Sequence, residues 1–393
     1  MSEPVGFDQL IDRELSGLSG ANLQRTRRVV RPIDAVHVEI DGKLCTNFCS
    51  NNYLGLTHHP RVIEAMRAAA AKFGAGSGAS ALISGYTTAH ESAESAVARW
   101  KGAESALLFP SGYQANVAAI GAIWAVGQSA PAGVRFLIDK LAHASIIDAV
   151  RATEAPWRVF PHNSIKKLTR LLEEAQADQI QVVVTESIFS MDGDEADLAG
   201  LDRLKKGRNF LLVLDEAHAS GVYGPNGAGL AAERGYRDLV DIFVVTFSKA
   251  IGCGGGAVCA KRNFGQALLN LGRAYIYSTS IPPSICAGIE EAIAVMRDEP
   301  QRQQRVRALS RAFRDELAGK GIEIAKGDSP IVPIRLGSES AALEKSKRLL
   351  EKGFLAAAVR PPTVPRGTSR LRVTLSCEHS EKEIGELTSA LVE

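Results

Sequence analysis

A chain of 393 residues with 45% hydrophobic and 23% charged residues is long enough for a large α/β core and a second, smaller domain. Its 46 lysines and arginines nearly balance 44 aspartates and glutamates, for a net charge of +2. This excludes the electrostatic footprint of a nucleic-acid or membrane-surface binder, so any anion site must be local.

Six cysteines (Cys45, Cys49, Cys253, Cys259, Cys286, Cys377) are thinly spread without a C-x-x-C pair. That argues against a disulfide framework and against a zinc site, and no metal is expected. The start, "MSEPVGFDQL", has no basic segment leading into an apolar run, and the longest apolar stretch, residues 115–127, is too short and glycine-broken to span a bilayer. The expected location is the cytoplasm.

In chain order, apolar spacing predicts a helix from Phe7 to about Leu18, followed by an arginine cluster in "NLQRTRRVVR". "VHVEIDGKLCTNFCS" alternates around Asp41-Gly42, the pattern of a β-hairpin. Residues 61–73 place Val62, Met66, Ala69 and Phe73 on one helical face, and Gly74 stops them. The middle of the chain alternates apolar runs at 106–109, 134–138, 182–185, 210–214 and 242–247 with helical patterns, as βαβ units of a mainly parallel sheet do.

After residues 277–284 a long Arg-rich helical stretch reaches about Gly319. Short strands follow near "PIVPIRL" and "RLRVTL", with a helix from about Ser338 to Lys352 between them. Ser380 and Glu383 form a capping box for a last helix. The expected organisation is an N-terminal helix and hairpin over 1–50, a large α/β domain over 51–282 and a small α+β domain over 283–393, with the boundary at Pro282-Pro283.

Two stretches imitate other functions. "FLLVLDEAH" (210–218) resembles the acidic strand end of an NTPase, but no G-x-x-x-x-G-K-[ST] loop accompanies it. "GCGGGA" (252–257) matches G-x-G-x-x-A, yet it leads into the strand-like "AVCA" instead of opening a helix. Its glycines instead suit a backbone passing close beside a bulky planar ligand.

Ligands of parallel sheets bind beyond the carboxyl ends of the strands, and four such ends carry distinctive groups. Ser111-Gly112-Tyr113 follows "ALLFP", His143 follows "FLIDKLA", Asp215 and His218 follow "FLLVL", and Thr246, Ser248 and Lys249 follow "IFVVTF". Singly, each has a structural explanation: a solvated lysine, a hydrogen-bonded carboxylate, a satisfied core histidine.

Together they meet the needs of pyridoxal 5'-phosphate. Lys249 supplies an amine whose weak solvation lowers its pKa, and Asp215 keeps a pyridine nitrogen protonated. His143 can lie on the ring and His218 can bond its hydroxyl. The helix start at "SGYQAN", with Thr246 and Ser248, offers donors for phosphate.

At these residues the chain resembles the α-oxoamine synthases, fold type I pyridoxal-phosphate enzymes of the aspartate aminotransferase-like transferase class. The matching stretches include "SNNYLGLTHHP", "GSGASALISGYTTAHESAE", "LFPSGYQAN", "DKLAHASIIDA", "TESIFSMDGD", "LDEAHASGVYG", "VVTFSKAIG", "YIYSTSIPP" and "RPPTVPRGTSRLRVTLSCEHS". The resemblance runs from about residue 20 to the C-terminus. It implies an α/β fold with a mainly parallel central sheet, a smaller α+β C-terminal domain, and homodimers that share the active site.

It also implies residue roles. Lys249 would hold the cofactor and move the Cα proton, Asp215 would pair with the pyridine nitrogen, and His143 would stack on the ring. His218 and Ser190 would bond the ring hydroxyl. Gly112, Tyr113 and Thr246 would hold the cofactor, and Ser278 and Thr279 would reach the phosphate of a neighbouring subunit. Arg360 and Asn51 would bind the amino-acid carboxylate, Arg25 and Thr363 the acyl substrate, and Glu186 would help arrange the site.

The implied reaction joins an amino acid, L-alanine, to an acyl thioester of coenzyme A or an acyl carrier protein, with loss of CO₂. Family members that use glycine or serine remain alternatives, as does a catalytically silent pyridoxal-phosphate binder. Departures from the family pattern, Ser248 before Lys249 and Ala219-Ser220 after His218, bear on substrate preference more than on reaction type.

Overall fold

The computed structural model describes residues 6–393; the opening MSEPV, part of the stretch read as carrying no leader, lies outside them. The chain forms two compact units, Asn51–Ala308 and a second made of the described residues up to Ser50 with Leu309–Glu393.

The larger unit is built on a seven-stranded sheet. Its strands are β1 (Ser105–Phe109), β2 (Val134–Asp139), β3 (Trp157–Phe160), β4 (Ile180–Glu186), β5 (Leu211–Asp215), β6 (Ile242–Thr246) and β7 (Gly256–Ala260), in the order β1-β7-β6-β5-β4-β2-β3. All neighbours are parallel except β7, which runs antiparallel to both β1 and β6. Every residue of β2 and of β6 is buried, as central strands covered on both faces require. That is why β6 reads as an apolar run up to Thr246 and β2 as one interrupted by the buried Arg135. The short β3 at the sheet edge, with its two middle residues exposed, carried no such signal.

The glycine run before β7 answers to protein packing. Gly252 and Gly255 take φ of +71° and +96°, a region open to glycine at no steric cost. A Cβ on Gly256 would stand 2.7 Å from the backbone of Gly112 and 2.8 Å from the Val245 carbonyl oxygen. These absent side chains admit neighbouring backbone, where a planar ligand had been expected. They also set the start of the helix Gly112–Gly127 against the end of β6. That helix is capped by Ser111, whose Oγ accepts from Gln114 N. Its Ala115, Ala118, Ala119, Ile120, Ala122 and Ile123 are buried in the core with β2, β4 and β6.

The expected single helix to Gly319 is two, Pro283–Asp298 and Gln301–Gly319. Pro300 separates them, because it has no N–H to continue the ladder. The chain divides at Ala308, later than Pro282-Pro283, and Cys286, Ile289, Ala292, Val295 and Met296 of the first helix are fully or almost fully buried.

In the smaller unit, the hairpin His37–Ile40 and Lys43–Asn47 turns at Asp41-Gly42, both at positive φ, as a two-residue hairpin turn demands. The short strand Phe354–Leu355 joins it in parallel. A three-stranded antiparallel sheet, ordered Ile331–Gly337, Ser369–Thr374, Ala357–Val359, and the helices Glu339–Glu351 and Glu381–Val392 complete the unit. The Ser380–Glu383 capping box is present. All six cysteines are unbonded, and no helix among the described residues is long and apolar enough to cross a membrane.

Candidate active site

The parallel strands β2, β4, β5 and β6 end on Asp139, Glu186, Asp215 and Thr246. A cavity of about 210 Å³ opens there. Gly112, Tyr113, His143, Glu186, Asp215, His218, Thr246, Ser248 and Lys249, brought from five separate strand ends, all line it. Ser111, Asn116, Ser145 and Ala217 line it too, and the sequence reading had given the last three no part.

Asp215 is buried, and its two carboxylate oxygens are each held by one donor. Oδ1 accepts from Ala217 N at 2.8 Å and Oδ2 from Asn116 Nδ2 at 2.8 Å. The Asn116 amide also donates to Ser145 Oγ at 3.0 Å. Ser145 in turn lies 2.8 Å from His143 Nδ1, which also accepts from the Ser145 backbone N–H. One chain of hydrogen bonds therefore fixes both the acid and the imidazole. Because Nδ1 accepts, the neutral ring of His143 carries its proton on Nε2. Burial lowers the His143 pKa and nearby Lys249 adds to the effect, while Asp215 and Asp148 oppose it.

Glu186 sits beside Asp215 in register across β4 and β5. Burial first, and then the charge of Asp215, raise its pKa well above the ordinary carboxyl value of 4.5, while the charge of Lys249 opposes them. Its Oε1 has no hydrogen-bond partner among the described residues. The folded state keeps a proton that the unfolded chain releases, so this group lowers stability as pH rises above the unfolded value. Glu186→Gln should therefore gain stability relative to the parent with rising pH. Urea unfolding of both proteins at about pH 5 and about pH 8 checks this.

The same cavity carries a cluster of neutral donors. Thr246 Oγ1 lies 3.0 Å from Ser248 Oγ, and a Cβ on Gly112 would press on Thr246 at 3.1 Å. The first turn of the 16-residue helix Gly112–Gly127 thus faces two hydroxyls with no side chain between them. Free N–H groups and the positive end of the helix dipole favour an anion there. Tyr113 donates to Asp148 Oδ2 at 2.7 Å.

His218 is buried, with Nδ1 2.8 Å from the hydroxyl of the fully buried Tyr53, which bonds Asn51 Oδ1 at 3.0 Å. Asn51 thereby connects to the cavity through Tyr53, a residue the sequence reading quoted inside "SNNYLGL" without assigning it a part.

Other expected residues lie elsewhere. Ser190 is in the turn between Ile188 and Glu195 and is not part of the cavity lining. Ser278 and Thr279 line a different, very small pocket with Tyr86, Glu94 and Tyr275. Ser278 Oγ accepts from Gln114 Nε2 at 3.2 Å, and Thr279 bridges Ser80. In the smaller unit, Arg25 donates to Thr363 Oγ1 at 3.5 Å and Arg360 to the Asn22 carbonyl. A primary amine, a clamped carboxylate, an imidazole and an anion cradle around one cavity suit chemistry on a carbonyl compound that also bears a basic ring and an anionic group.

The aminotransferase class I and II family model matches residues 43–391. The chain is 41% identical over 381 residues to the 8-amino-7-oxononanoate synthase of Anaeromyxobacter dehalogenans, covering 97% of this chain and 94% of that one. Among solved structures it is similar to the serine palmitoyltransferase of S. paucimobilis with a bound PLP-myriocin aldimine, at a TM-score of 0.90 and 30% identity, covering 98% and 96% of the two chains. It is also similar to the 8-amino-7-oxononanoate synthase of Francisella tularensis, at a TM-score of 0.75 and 25% identity, covering 88% and 97%.

Proposed function

This chain belongs to the aminotransferase class I and II family and, within it, to the α-oxoamine synthases, and from that premise we propose that it condenses L-alanine with a pimeloyl thioester. The products are 8-amino-7-oxononanoate, CO₂ and the free thiol. The observation that carries the reading is the single cavity in which Lys249, Asp215, His143 and the Gly112–Thr246–Ser248 cradle converge.

The residues present fit pyridoxal 5'-phosphate. Asp215 is buried with both oxygens oriented, and Gly112 leaves the helix start open where a Cβ would meet Thr246. When bound, the cofactor supplies an electron sink for the pair left at the amino-acid Cα. Lys249 Nζ would anchor it and take the Cα proton. Asp215 would hold a proton on the pyridine nitrogen, and the neutral imidazole of His143 would support the ring. His218 and Ser190 are assigned to the ring hydroxyl.

The phosphate needs little arginine, since backbone N–H groups, Tyr113, Thr246 and Ser248 surround its site. Arg360 is the cation assigned to the amino-acid carboxylate, where a guanidinium can bind both oxygens, with Asn51 assisting. Arg25 and Thr363 are assigned to the acyl donor, carried by coenzyme A or a carrier protein, and Glu186 to the arrangement of the site.

The enzyme acts as a homodimer in this reading. Ser278 and Thr279 lie outside the Lys249 cavity of their own chain, and the exposed Ile83 and Tyr277 near them suit burial against a second copy. A cytoplasmic location agrees with six unbonded cysteines.

The test is product analysis by mass spectrometry with alanine, glycine or serine against pimeloyl, acetyl and palmitoyl thioesters. Alanine with the pimeloyl thioester should win, with glycine disfavoured roughly 10–200-fold, the range for one methyl group in an apolar pocket. Turnover only with serine and a palmitoyl thioester would instead place the chain with the serine palmitoyltransferases.

A further inference from the structure

His162 lies outside the cavity, yet its ring joins two segments that the functional reading places on the cofactor. Its Nδ1 is 3.0 Å from Asp139 Oδ1 and its Nε2 is 2.6 Å from Asp194 Oδ2. The ring also meets Phe189 edge-on, with centroids 4.3 Å apart at 85°.

Asp139 is fully buried at the end of β2 and starts the turn that leads to His143. It accepts from Leu141 N at 2.9 Å and, through its other oxygen, from Asn163 N at 3.0 Å. Asp194 belongs to the turn that carries Ser190. Phe189 N donates to Asp194 O at 3.0 Å, Gly193 N to Phe189 O at 2.8 Å, and Ile188 bridges Glu195. Asn163, next to His162, strengthens the same link by donating to Glu195 O at 2.9 Å and accepting from Asp197 N at 3.1 Å.

With a carboxylate at each nitrogen, the ring is an imidazolium that donates twice, and such charge-assisted bonds are the stronger kind. Burial pulls the His162 pKa down, but the hydrogen bonds and charges of Asp139 and Asp194 outweigh it and raise it to about 10. The clamp is therefore closed throughout the neutral range.

We propose that His162 is a positioning residue for the reaction: by bridging Asp139 and Asp194 it holds the turn that presents His143 and the turn that presents Ser190 at a fixed separation around the cofactor. This rests on the functional reading above. The other strand-end carboxylates, Glu186 and Asp215, line the cavity itself, whereas His162, Asp139 and Asp194 do not.

Asp194 is the side to cut, because its side chain is 38% exposed and its loss leaves the sheet intact. The parent chain, Asp194→Ala and Asp194→Asn, each first freed of cofactor, are titrated with pyridoxal phosphate alone, followed by absorbance, and hydrogen exchange is measured on the reloaded proteins over 139–145 and 187–196. In Asp194→Ala the dissociation constant should rise roughly tenfold or more, as expected for one lost charge-assisted bond. The absorption maximum of the bound cofactor should shift, and exchange should quicken in both segments.

Asp194→Asn keeps an acceptor oxygen and should recover most of the affinity. An Asp194→Ala protein that binds and absorbs like the parent overturns the proposal, whether or not its melting temperature falls. So does faster exchange confined to 187–196. A parent chain that takes up no pyridoxal phosphate overturns the functional reading and this one with it.

Discussion

Lys249→Ala should reduce turnover on the order of 10⁴-fold or more, because in the proposed mechanism one side chain supplies both the covalent anchor and the Cα proton transfer, and proton transfer alone contributes roughly 10²–10⁴. The fold should survive, since Lys249 is only partly buried and follows a strand whose five residues are all buried. The cofactor should still bind through Asp215 and the Thr246–Ser248 cradle, but it should now be removable by dialysis. Lys249→Arg should fare no better, since a guanidinium does not give up its proton in the working range. Steady-state assays with absorbance spectra before and after dialysis check both statements.

Asp215→Asn comes second in size. The replacement is nearly isosteric and can still accept from Ala217 N. Its amide, however, would face the Asn116 Nδ2 donor that now serves Asp215 Oδ2. More important, the negative charge proposed to keep the pyridine nitrogen protonated disappears. A loss on the order of 10²–10³ in kcat is expected, the scale for removing one preorganised electrostatic partner of a developing charge. The KM for alanine should change far less, because that carboxylate is assigned to Arg360. A variant with kcat intact and only KM raised would show that Asp215 serves binding alone.

What the sequence made legible follows from burial. Central parallel strands are apolar at most positions, so the polar residue that ends each run stands out. Asp215, Thr246 and Lys249 were found in that way and converge on one cavity. The residues that orient them carry no such contrast. Asn116 lies in the middle of an alanine-rich helix, 99 residues from the Asp215 it holds. Tyr53 is 165 residues from His218, and His162 stands in a loop whose two carboxylate partners belong to different turns.

Long-range backbone partnerships were equally silent. The glycine run at 252–256 looked like space for a ligand, whereas Gly252 faces Leu56 and Thr57, and Gly256 faces Gly112 and Val245. The strand Phe354–Leu355 is two residues long, and it pairs with Lys43–Asn47 across most of the chain. No local pattern announces such a pairing. Pro300, whose missing N–H breaks the ladder between two helices, was passed over in a stretch read as one.

The account rests on the amine of Lys249 being the point where pyridoxal phosphate is attached. The direct measurement is to load the purified protein with the cofactor, reduce it with borohydride, digest it and locate the pyridoxyl group by mass spectrometry. The account predicts the label on Lys249; a label on any other lysine, or a loaded protein that takes none, contradicts it.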